Sequence, residues 1–138
     1  MMTIMTEIPK DLKLNTISVF EHYHIDVFEA GHVLLSTEIH ASALNYYGNA
    51  HGGFLFTLCD QVGGLVAKSI GLEAVTLQAN VNYLKPGHLG DRLVVEGSLV
   101  HRGRTTQLIE VTIKNQDDRL LTRVSLTMFV TSKKRSSD

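Results

Sequence analysis

Hydrophobic residues follow two different periods along this chain. The stretch from Asn45 to Ser69 reads NYYGNAHGGFLFTLCDQVGGLVAKS. A polar loop carrying glycines, Asn45 to Gly53, leads into Phe54, Leu55, Phe56, Leu58, Val62, Leu65, Val66 and Ile70. That spacing predicts a long helix ending near Gly71. Its apolar positions cover too much of the circumference for a one-sided surface helix, so burial is expected. Elsewhere the period is two. His22, His24, Asp26 and Phe28 alternate with Tyr23, Ile25 and Val27. After a turn at Ala30-Gly31, a second strand runs from His32 to Ile39, and the two predict a hairpin.

Beyond the helix every segment reads as strand. From Ala74 to Leu84, Val75, Leu77, Ala79, Val81 and Tyr83 are expected on one face, and Thr76, Gln78, Asn80 and Asn82 on the other. Lys85-Pro86-Gly87 breaks this strand. Further strands are predicted over Asp91 to His101, Arg104 to Lys114 (Ile109, Val111 and Ile113 on one face) and Arg119 to Thr131 (Val124, Leu126, Met128 and Val130 on one face). Turns are expected at Arg102-Gly103 and at Asn115 to Asp118. Short connections predict an antiparallel meander of the four late strands. One helix and about six strands share a core only if the sheet curls around the helix, which makes the class α+β.

The 138 residues suit one domain, with no internal repeat or linker. The expectation is a single domain over 1–138. Residues 1–20 form an N-terminal extension with a short helix from Pro9 to Ser18, and 132–138 form a polar tail. A net charge of −1 gives no global case for nucleic acid or an anionic membrane. Lys133-Lys134-Arg135 reads as solvated tail. No run approaches the ~18 apolar residues of a membrane span, and MMTIMTEIPKDLKLN lacks the apolar core of a secretory signal. A cytoplasmic setting is expected. The single cysteine, Cys59, excludes an intrachain disulfide. Among its apolar neighbours it reads as an inert thiol rather than a nucleophile. The histidines, His22-x-His24 included, offer no metal-ligand set.

One carboxylate, Asp60, lies in the middle of the apolar helix, where a charge is costly without partners or a task. The pattern Asn45-x2-Gly48-x2-His51-Gly52-Gly53-x6-Asp60, followed by a strand ending Tyr83-Leu84-Lys85-Pro86-Gly87, resembles the hotdog-fold acyl-CoA thioesterases, and within them the PaaI-like (phenylacetate-degradation-type) branch. The resemblance covers about residues 20 to 131. It implies a hotdog fold, an antiparallel sheet of about six strands wrapped around one long helix. It also implies an enzyme that cleaves a thioester to a free acid and CoA, with no metal or redox cofactor. Asp60 would be general base or nucleophile, the alternative being a buried aspartate held by structural hydrogen bonds. By family position Asn45 and Thr76 would orient water or substrate, and His51 would hold the loop. The alternatives are a loop-capping asparagine, an ordinary strand threonine, and His51 as base.

Gly52 and Gly53 fall where the helix begins, with backbone N–H groups free of intrahelical partners and the positive end of the helix dipole. Such groups can stabilise a thioester oxyanion, and glycine lets the substrate approach. The alternative is that both only shape a turn. Candidates for CoA are Gly53, Lys85, Arg102, Arg104 and the hydroxyls of Thr105 and Thr106; Arg102-Gly103-Arg104-Thr105 is a corner suited to phosphate. The acyl group is open between aryl and medium-chain types, with Tyr46, Tyr47, Phe54 and Phe56 as candidate pocket residues. Gly52 and Asp60 are eight residues apart, about 12 Å along a helix. One chain cannot easily bring both to one carbonyl, so a homodimer with shared sites is expected, pairing further into a homotetramer. Two other readings remain: a non-catalytic acyl-CoA-binding module, and an acyl-thioester dehydratase on the same fold.

Overall fold

The computed structural model describes residues 7–14 and 16–133. Six strands form one antiparallel sheet: β1 (Tyr23–Glu29), β2 (His32–Glu38), β3 (Leu72–Tyr83), β4 (Arg92–Arg102), β5 (Thr106–Lys114) and β6 (Leu120–Lys133). The helix α1 (Gly52–Ser69) lies between β2 and β3 in the chain and touches every strand. The sheet curls around it, as the hotdog expectation requires. The core is formed by Phe54, Leu55, Leu58, Cys59, Val62 and Val66 from the helix, packed on inward residues of the strands such as Leu35, Val95, Ile109, Val111, Val124 and Leu126. Two glycines set how closely helix and sheet meet. A Cβ on Gly63 would overlap Leu126 Cδ1, and one on Gly97 of β4 would come within 2.7 Å of Val62 Cγ1.

The strand order is β1-β2-β4-β5-β6-β3. The β1–β2 hairpin forms as expected. The four-strand meander does not: β4, β5 and β6 follow one another, but β3 pairs with β6 at the far edge. The helix crosses the concave side between β2 and β3, so β3 arrives at the edge opposite β1. There β6, not β4, offers its unpaired side.

A second departure lies within β3. Thr76 pairs with Met128 and Gln78 with Thr127, so Leu77 is an extra residue, a β-bulge. A bulge inverts the alternation beyond it. Val75 and Leu77 therefore point away from the helix and are exposed, while Ala79 and Val81 pack against the core. Thr76, expected on the polar outer face, instead turns inward and bonds a helix side chain.

The helix expected over Pro9 to Ser18 is absent among its described residues, where Lys10-Asp11 makes a turn and the rest is irregular. Leu12 and Leu14 are exposed rather than docked on the core, so packing does not support a helix there and local propensity alone does not hold one. Asn15 of that segment, and residues 134–138 of the polar tail, lie outside the described residues. No helix among the described residues is long and apolar enough to cross a membrane.

Candidate active site

Helix α1 begins where the sequence places the glycines. His51 is its N-cap, and its Nδ1 accepts a hydrogen bond from the Gly53 N–H at 2.9 Å. That bond occupies the Gly53 donor and the Nδ1 lone pair of His51. The Gly52 N–H, one residue earlier, has no hydrogen-bond partner among the described residues. The Phe54 N–H likewise has no acceptor among the described residues, and the Gly52 N–H is the available donor at the exposed start of the helix dipole.

The loop ahead of the helix is tied down from several sides. Asn45 Oδ1 accepts from the backbone N–H groups of Tyr47 (2.9 Å) and Asn49 (3.1 Å), which leaves the Asn45 amide nitrogen free to donate. Ala50 N–H donates to Gly87 O at 2.8 Å, pinning the loop to the Lys85-Pro86-Gly87 connection. Between these segments lies a concavity of about 360 Å³, lined by Asn45, Asn49, Gly52, Leu55, Tyr83 and Lys85 among others.

Asp60 lies two turns further along α1 and is half-buried. The Thr76 hydroxyl donates to Asp60 Oδ1 at 2.7 Å, leaving Oδ2 without a protein partner among the described residues. Both line a second concavity of about 480 Å³, with Gln61, Gly64, Lys68, Glu73 and Met128. So the structure brings together Asn45, Gly52 and Lys85 at one end of the helix, and Asp60 and Thr76 at another. It does not bring the two groups together within one chain.

The remaining candidates are placed apart from both. Arg102, Arg104 and Thr105 are exposed at the β4–β5 turn, outside the two concavities, and neither arginine forms an ion pair among the described residues. Phe54 is fully buried core, Phe56 packs against that core, and Tyr46 and Tyr47 are exposed on the loop. Burial pushes the Cys59 thiol up to about 12, with the neighbouring Asp60 charge adding to the effect, as fits an inert core thiol. Among the described residues no group of three or more His, Cys, Asp and Glu side chains is placed to hold a metal ion.

Sequence reading missed Tyr83. Its hydroxyl donates to Gly52 O at 2.9 Å, and its ring would lie 3.3 Å from a Cβ at Gly52. A side chain at Gly52 would press on the Tyr83 ring and require it to shift by a few tenths of an ångström. Burial raises the Tyr83 phenol above its ordinary value, with Cys59 contributing. The tyrosine ends a strand directly before the recognised Leu84-Lys85-Pro86-Gly87 break, but nothing local in sequence links it to a glycine 31 residues earlier.

A helix that opens on glycines with an available N–H, and a carboxylate held by a threonine, are the two arrangements that α1 offers for chemistry. The model of the Thioesterase superfamily matches residues 47–122, more than half of the chain. Acyl-coenzyme A thioesterase PaaI of Escherichia coli (strain K12) is 31% identical over 91 residues; the match covers 66% of this chain and 65% of that relative. A hypothetical thioesterase protein from Streptococcus pneumoniae TIGR4, solved with coenzyme A, superposes with a TM-score of 0.89 at 51% identity, covering 90% of this chain and all of that one. Its other structures include alanine mutants of an aspartate and of a threonine, 16 residues apart. A Streptococcus mutans UA159 protein bound to acetyl CoA superposes with a TM-score of 0.82 at 52% identity, covering 88% of this chain and 98% of that one. The chain belongs to the thioesterase superfamily, in its PaaI-like hotdog branch.

Proposed function

We propose that this protein hydrolyses acyl-CoA thioesters to the free acid and CoA, at two sites shared across a two-fold dimer. The observation that carries this reading is the division of one set of catalytic parts between two concavities of the same chain. An available Gly52 N–H faces one, and a Thr76-held Asp60 faces the other. An antiparallel second copy places each part opposite its complement.

In such a site the thioester oxygen accepts from the Gly52 N–H, and the same donor stabilises the tetrahedral oxyanion. Asn45 contributes its free amide donor beside it. From the facing protomer, Thr76 holds Asp60 by Oδ1 and leaves Oδ2 for the reaction. As a base, Oδ2 takes a proton from water while the water oxygen bonds the carbonyl carbon. The intermediate then collapses, the C–S bond breaks, and the sulfur leaves with that proton. As a nucleophile, the carboxylate oxygen bonds the carbonyl carbon itself and the CoA thiolate leaves; water then cleaves the resulting anhydride. Both routes use the same carboxylate and need no metal.

The streptococcal relatives support the substrate class, since one is solved with coenzyme A and another with acetyl CoA. The aspartate and threonine replaced in the pneumococcal protein have the separation of Asp60 and Thr76, which supports their pairing as a unit. Lys85, at the edge of the Gly52 concavity, and the free guanidiniums of Arg102 and Arg104 are suited to the CoA phosphates. His51 caps the helix through Nδ1 and bonds no acid among the described residues, which favours hydrolysis over the His-acid chemistry of a dehydratase.

The test is thiol release from a panel of aryl- and medium-chain acyl-CoAs. Wild type should release CoA, and Asp60→Asn, which keeps the size and removes the charge, should lower kcat at least about a hundredfold. Near-normal turnover by a folded Asp60→Asn protein removes Asp60 from the mechanism. Tight acyl-CoA binding with no turnover by wild type supports a binding module instead.

A further inference from the structure

Gln107 of β5 faces the helix side of the sheet and is 1% exposed. Neither its Oε1 nor its Nε2 has a hydrogen-bond partner among the described residues. An amide left so is costly, since each unmet group has lost its water without a replacement, and an aliphatic side chain of similar volume carries no such cost. Buried polar groups without partners call for an explanation.

The register of the sheet supplies one. Thr76 of β3 is directly opposite Met128 of β6, and Met128 is directly opposite Gln107 of β5. All three side chains point to the helix side. Thr76 and Met128 line the Asp60 concavity, and in the register of the sheet Met128 is the one residue between Thr76 and Gln107. Methionine is unbranched and easily repacked, the side chain best suited to move aside for a guest.

We propose that Gln107 is a specificity-determining residue: its amide receives an oxygen-bearing substituent at the far end of the acyl group, which extends from Asp60 past Met128. This inference rests on the thioesterase reading above. Thr76 and Gln107 are two strand spacings apart, about 10 Å. Allowing a hydrogen bond of about 3 Å at the far end leaves about 7 Å of acyl chain. At about 1.2 Å per bond of extended chain, the oxygen belongs five or six bonds beyond the thioester carbon. The class of ligand is therefore a short acyl group with a hydroxyl or carbonyl at or near its sixth carbon. One amide serves either, since it both donates and accepts.

The experiment compares kcat/KM for 6-hydroxyhexanoyl-CoA, 3-hydroxyhexanoyl-CoA and hexanoyl-CoA, in wild type and in Gln107→Met and Gln107→Leu. Wild type should favour the 6-hydroxy over the plain substrate by at least about tenfold, the worth of one buried hydrogen bond. It should show no such preference for the 3-hydroxy isomer, whose oxygen falls short of the amide. Both variants should bring the 6-hydroxy preference close to one. A preference absent in wild type, or unchanged in both variants, overturns the proposal; the second result with an unchanged or raised melting temperature means that the amide serves a buried water only. Hydrolysis of the aryl- and medium-chain acyl-CoA panel keeps the two readings apart, because its absence throughout in wild type is a failure of the thioesterase reading alone. In that case the melting shifts given by 6-hydroxyhexanoate and hexanoate decide the matter. A larger shift by the hydroxy acid, lost in both variants, upholds the Gln107 site, and equal shifts overturn it.

Discussion

Cys59 and Asp60 are neighbours in sequence with opposite fates, because successive helix residues point about 100° apart. Asp60 reaches a concavity and a threonine hydroxyl, whereas Cys59 points into the core. Burial, with the Asp60 charge behind it, keeps the thiol protonated to about 12 against an ordinary value of 9.0. The folded state therefore binds this proton more tightly than the unfolded state. Its contribution to stability is complete below about pH 9 and is lost as pH rises toward 12. Two outcomes are expected. Native protein should resist iodoacetamide at pH 7.5 without loss of turnover, and label only when unfolded, as read by mass spectrometry. In urea titrations between pH 9 and 11, wild type should lose stability faster than Cys59→Ala. Labelling of the native protein at neutral pH would show that Cys59 is accessible and its thiolate within reach. Asp60, Gly52 and His51 were legible in sequence because helix start, glycine pair and lone carboxylate all lie within ten residues. Tyr83 and Gln107 were not: the neighbours of each are set by how the strands pair and curl, which the alternation within one strand does not show.

At the scale of elements, the helix was legible almost to the residue, since an apolar run opening at glycines and closing at Gly71 has few other solutions. Strand β3 was only half legible. Its alternation predicts Thr76 on the outer face, and only the bulge at Leu77 turns it toward Asp60. An extra residue in one strand is visible only against its partner, here β6. The same packing separates two adjacent helix glycines that sequence cannot tell apart. A Cβ at Gly63 would overlap Leu126, a branched side chain locked in the core, while one at Gly64 meets nothing within 4 Å. Gly63→Ala should therefore destabilise by about 1–3 kcal/mol, the usual scale of overpacking. Gly64→Ala should gain about 0.4–1 kcal/mol by restricting the unfolded chain. Denaturant midpoints at constant slope check both, and equal effects of the two would contradict the close approach of α1 to β6.

For the whole molecule, the number of strands and the curl around one helix follow from the sequence, but the strand order does not, because short connections suggest neighbours and β3 has to cross to β6. That order leaves β3 at the edge of the sheet, with Val75 and Leu77 exposed on it. An edge strand of 12 residues with apolar side chains invites pairing with another chain. Paired antiparallel with its own copy, β3 would carry the Thr76 end of one protomer toward the Tyr83 end of the other. Thr76 bonds Asp60 and Tyr83 bonds Gly52, so this pairing would bring the two proposed half-sites together. The prediction is made by mixing Asp60→Asn chains with Asn45→Ala chains, each first shown to be folded and inactive alone. In a mixed dimer one shared site carries both lesions and the other carries neither. With random exchange at equal amounts, half the dimers are mixed and half of their sites are intact, so about a quarter of wild-type activity should return. If each site were built within one chain, every site would keep one lesion. No recovery, with subunit exchange demonstrated by differently tagged chains, would then place Gly52 and Asp60 in separate roles and remove the shared-site mechanism.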